Sequence, residues 1–71
     1  MKIAYKTRQG TVNSKIMTPE DALLRLAELE SLEADTMRYA PTNSGNVRYN
    51  YNQEYNAINK GLRLIEMDGE G

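Results

Sequence analysis

The sequence predicts an α+β fold in which an N-terminal β-hairpin packs on an antiparallel helix pair, in the order ββαα. Three patterns carry that expectation. Residues 1–17 alternate apolar and polar side chains on either side of a glycine turn. Thr18-Pro19-Glu20-Asp21 then opens the leucine-rich run Ala22 to Leu32. Finally, Tyr51, Tyr55, Ile58, Leu62 and Ile65 recur at helical spacing.

In the first segment Ile3, Tyr5 and Thr7 alternate with Lys2, Ala4 and Lys6, as a half-buried strand requires. Arg8-Gln9-Gly10 supplies a tight turn in which Gly10 can take positive φ. Thr11 to Met17 alternates again, with Val12 and Ile16 on one face and Lys15 on the other. The expected inner face of the hairpin is Ile3, Tyr5, Val12 and Ile16.

Helix one is expected over 19–39. Thr18 suits the N-cap, Pro19 the first turn, and Asp21 the position of a reciprocal capping partner. Glu20 and Asp21 also complement the positive end of the helix. Ala22, Leu26, Leu29 and Met37 form one stripe with Leu23 at its margin, while Leu24 and Leu32 lie well off it. Leucines so far round the cylinder imply a second covered surface, and self-association through Leu24 and Leu32 is the expectation that follows. Ala40-Pro41 ends the helix, because a residue before proline avoids the α region.

A polar loop is expected over 40–49 and helix two over 50–67, capped by Asn50 or Asn52. Gly61 interrupts the second stripe at about 1 kcal/mol relative to alanine. It either permits close packing of helix one or stops the helix, in which case 62–67 would form a short C-terminal strand. The unbroken stripe favours the helix. Residues 68–71 read as a flexible tail beyond a single small domain, 1–67.

Composition narrows the chemistry. Only 39% of the chain is hydrophobic, and Phe, Trp, Cys and His are all absent. A core built from Leu, Ile, Met, Val, Ala and Tyr in 71 residues is thin against the entropy of ordering the chain. A homodimer is an expected remedy. Without Cys and His there is neither disulfide framework nor the usual metal ligand or near-neutral base. No catalytic constellation is complete, so a non-enzymatic protein without cofactor or metal is expected. No stretch reads as a membrane span or as the apolar core of a signal peptide, and the expected location is cytoplasmic.

The net charge of −1 conceals a segregation. Residues 1–17 carry Lys2, Lys6, Arg8 and Lys15 with no acid, whereas 20–35 carry six acids against Arg25. An intramolecular match of basic hairpin to acidic helix accounts for this, and a charged binding face is the alternative.

Three candidate surfaces follow. The loop and the start of helix two gather Arg38, Tyr39, Asn43, Asn46, Arg48, Tyr49, Asn50 and Tyr51, residue types that recognition surfaces favour. Glu28, Glu30, Glu33 and Asp35 form an acidic face able to occupy a basic groove, or, for Glu33, to pair with Lys60 or Arg63 across the helices. The basic hairpin offers Lys6, Arg8 and Lys15 to DNA. Strand Thr11–Met17 followed by two helices superficially resembles, in order of elements alone, the ribbon-helix-helix repressors. That resemblance implies a small dimeric DNA-binding regulator with a two-stranded ribbon in the major groove. Helix one is too long for that family, and an extra strand precedes it. The function expected from the residues is therefore a macromolecular binding module, an inhibitor or adaptor of another protein or complex. Its expected context is a phage or mobile-element accessory protein, such as an anti-defence inhibitor.

Overall fold

The computed structural model describes residues 1–40, 42 and 44–67. The order is ββαα: strands β1 (Lys2–Lys6) and β2 (Val12–Ile16), then helices α1 (Pro19–Tyr39) and α2 (Gly45–Met67). The strands form one antiparallel hairpin. The stretch 62–67 continues α2, so Gly61 is no helix stop.

A three-residue turn sets the hairpin's register. Thr7 N–H donates to Thr11 O at 2.8 Å and Gly10 N–H to Thr7 O at 3.0 Å, with Gly10 at φ 92°. Positive φ at the last loop residue is what a type I turn closed by a glycine bulge demands. Lys2 then opposes Ile16, Ile3 opposes Lys15, and Tyr5 opposes Asn13. With Ile3 turned inward, Asn13, Lys15 and Met17 share its face.

This corrects the expected inner face. Val12 and Ile16 point away from the core and are 68% and 84% exposed. A shift of one residue exchanges the two faces of a strand. The odd-length turn chooses the phase that puts Lys15, not Ile16, inside.

The first helix begins as its sequence implies. Thr18 has extended backbone angles, and its Oγ1 accepts from Asp21 N–H at 3.1 Å. At the other end Ala40 leaves the helix while its N–H still reaches Thr36 O. Helix α2 starts five residues earlier than expected. Ser44, buried, accepts Arg48 N–H on its carbonyl at 2.8 Å and closes the first turn. Asn50 and Asn52 are consequently interior helix residues and cap nothing. Pro41, Asn43 and the expected tail 68–71 lie outside the described residues.

Helix α2 is the central element. The hairpin packs on one flank and α1 on another, and no Cα of α1 comes within 8 Å of a strand Cα. Ile3, Ala22, Leu29 and Ile58 are buried together, and Met1, Met17, Leu26, Tyr51, Tyr55 and Leu62 close around them. Gly61 serves close packing, but of β1 and not of α1: a Cβ there would lie 3.1 Å from Met1 Cε and 3.4 Å from Ile3 Cγ2. Leu32 is half-buried against its own chain, whereas Leu24 is 71% exposed.

With so few buried aliphatics, Leu29→Ala should lower the unfolding free energy by about 3 kcal/mol. Leu24→Ala should stay within about 0.5 kcal/mol of wild type. Urea denaturation followed by circular dichroism reads both.

Candidate functional site

Among the described side chains, Glu54 on α2 is the most enclosed acid, 3% exposed. Lys15 Nζ reaches its Oε2 at 2.8 Å. Arg25 binds it side-on through one edge of the guanidinium, Nε donating to Oε2 at 2.7 Å and Nη2 to Oε1 at 3.0 Å. Tyr5 O–H donates to Oε1 at 3.4 Å and accepts from Asn13 Nδ2 at the same distance. Arg25 also pairs with Glu28 one turn along α1.

Burial alone pushes the Glu54 carboxyl up. The hydrogen bonds from Arg25 and Lys15, reinforced by their charges, outweigh burial and hold it below its ordinary value of 4.5. The same bond to Glu54 raises Arg25 further above its ordinary range, against the opposing effect of burial. Glu54 is a structural anion here. A carboxylate saturated by two cations is a poor general base.

The pairing expected between the basic hairpin and the acidic helix one is thus made elsewhere, because Lys15 meets α2. Nor does Glu33 reach Lys60 or Arg63: its carboxylate lies 3.7 Å from Arg48. Glu30 accepts from Tyr55 O–H at 2.8 Å, and that bond raises the phenol's pKa. Three carboxylates of the expected acidic face therefore have partners within the chain, while Asp35 is exposed.

The loop candidates divide into groups. Arg8 at the hairpin turn stacks over the Tyr49 ring, 5.5 Å from its centroid. Its backbone N–H donates to Asn50 Oδ1 at 2.8 Å, and Asn50 Nδ2 donates to Gln9 Oε1 at 3.4 Å. Gln53 adds a bond to Tyr49 O–H at 3.1 Å. This brings a residue of the basic hairpin and two of the loop set onto one surface, with exposed Asn46 earlier on the same helix. Arg38 and Tyr39 form a separate pair at the end of α1, 6.0 Å apart. Tyr51 packs against the core, and Asn43 lies outside the described residues. Lys6 is exposed, but Lys15 is turned inward.

Sequence reasoning passed over Glu54 and Gln9. Glu54 stands three residues after Tyr51 and four before Ile58, inside the apolar stripe of α2, and that position was the available signal. Gln9 carried none, since its contact depends on where the turn lands.

Among the described residues no three His, Cys, Asp or Glu side chains converge to hold a metal ion, and no helix is long and apolar enough to cross a membrane. Comparison with protein-family models, with curated proteins and with solved structures gives no match to this chain.

The lowered pKa of Glu54 fixes the sign of a pH effect. Its contribution to stability is complete above the ordinary carboxylate value of 4.5 and is lost as pH falls through the lower folded-state value. Wild-type stability should therefore drop below about pH 4.5, and Glu54→Gln should flatten that part of the profile. Glu54→Ala, which strands Arg25 and Lys15, should cost about 3 kcal/mol at neutral pH. Urea titrations from acid to neutral pH measure all three.

Proposed function

We propose that this chain is a non-enzymatic binding module, an inhibitor or adaptor acting on another protein or protein complex. Its contact surface is the end of the molecule where the hairpin turn meets the first turns of α2. The observation that carries this reading is Arg8 stacked on Tyr49 while its backbone is tied to Asn50. Tyrosine and arginine dominate the energetics of protein interfaces. Here the stacking and the hydrogen bonds order them in advance, which reduces the entropy lost on association. The saturation of Glu54 supports the non-enzymatic part, since the best-buried acid among the described residues is committed to the fold.

The reading as a dimeric DNA-binding regulator retains Lys6 and Arg8 but loses Lys15, which is spent on Glu54.

The two readings separate experimentally. Tyr49→Ala and Arg8→Ala should each leave the thermal unfolding transition nearly unchanged and remove the protein partner recovered with the wild-type chain from its native host. Retention of that partner by both variants would sink the proposed surface. A DNA binder would instead hold duplex at low salt, lose it steeply as salt rises, and weaken in Lys6→Ala.

A further inference from the structure

Among the described residues no strand pairs with either edge of the hairpin, and the two edges differ in charge. Met1 and Met17 exchange backbone hydrogen bonds of 2.8 and 2.9 Å, and Thr7 N–H donates to Thr11 O. Bonded and non-bonded pairs alternate along an antiparallel ribbon. The odd-numbered residues therefore bond across the hairpin, and the even-numbered ones turn their N–H and C=O outward. These are Lys2, Ala4 and Lys6 along β1, and Val12, Ser14 and Ile16 along β2. The sheet has two strands, so among the described residues no further strand takes up the outward-pointing backbone groups of β2, and no Cα of α1 comes within 8 Å of it.

We propose that a second copy of this chain pairs antiparallel along the free edge of β2, with Ser14 on the two-fold axis, to make a four-stranded sheet. In that register Val12 meets Ile16 of the second copy, and each such pair can exchange both of its outward-pointing backbone bonds. The aliphatic side chains left most exposed by the hairpin, 68% and 84%, then cover one another on the outer face. On the inner face Lys15 opposes Asn13, and its charge is already matched by Glu54. No like charges meet. The same operation on β1, with Ala4 on the axis, sets Lys2 against Lys6 of the second copy, and Lys60 stands beside that edge. Opposed like charges disfavour such a pairing, and edge lysines are a common device against it. Charge closes one edge and leaves the other open. This contact is independent of the Arg8–Tyr49 surface.

A charge exchange tests the register. Val12→Glu with Ile16→Glu places each new carboxylate opposite Lys6 or Lys2 of its own hairpin, so the subunit keeps its fold. Across the axis the same change sets carboxylate against carboxylate. Val12→Glu with Ile16→Lys sets unlike charges there instead. In sedimentation velocity the wild-type chain should pass from monomer to dimer between roughly 1 and 300 μM. The double glutamate should weaken the dimer by about tenfold or more, and the mixed pair should restore it. Ser14→Cys, in a chain without cysteine, should cross-link to itself on mild oxidation, because opposed residues of a bonded pair lie about 5.5 Å apart. Ala4→Cys should not. A wild type that stays monomeric throughout would overturn the proposal. So would a double glutamate that dimerises like wild type, a Ser14→Cys chain that cross-links no faster than Ala4→Cys, or loss of the dimer in Leu24→Glu alone.

Discussion

One buried carboxylate ties the three parts of this molecule together. The backbones of α1 and the two strands stay more than 8 Å apart at every Cα pair, and between them Glu54 on α2 receives Arg25 from the helix and Lys15 from the hairpin. A buried ion pair is modest as a source of net stability, because desolvation offsets much of the attraction. Its strength lies in selecting one arrangement. Any packing that moved both Lys15 and Arg25 away would leave Glu54 charged and unpaired inside the protein, which is far costlier than a misplaced methyl group. The aliphatic core around it, Ile3, Ala22, Leu29 and Ile58, is too small to impose such selectivity alone.

The same contact explains the surface. Lys15 faces inward to reach Glu54, so the pleat sends Val12 and Ile16 outward. A sequence that seemed to offer four aliphatic and aromatic residues to one hairpin face divides them between two. The register also places the turn, and with it Arg8, against Tyr49 and Asn50. The proposed recognition surface and the proposed self-pairing edge both descend from the three-residue loop and its positive-φ glycine.

How much was legible varies with the range of the forces involved. Helix α1 could be read closely because its limits are local: Thr18 caps within three residues, and Ala40 leaves the helix before a proline. The stripe of α2 was legible for the same reason as far as Ile65, although Gly61 left a strand over 62–67 as the alternative. The start of α2 was not. Asn50 and Asn52 looked like caps, but Ser44 opens the helix, and Asn50 is used by the hairpin turn instead. The acidic residues of α1 read as partners for the basic hairpin or, for Glu33, for Lys60 or Arg63, yet Arg25, Tyr55 and Arg48 each engage one of them, and two of those partners come from α2.

By itself, then, the sequence determined the order of strands and helices, the bounds of α1, and the interior placement of Ile3, Ala22, Leu29 and Ile58. Each of those depends on spacing or capping within a few residues. Only the tertiary structure decided which face of β2 is inside, which acid is buried, and which polar residues share a surface. Those outcomes depend on where distant groups meet. One residue of loop length reverses a strand, and one charge on α2 makes the reversal favourable.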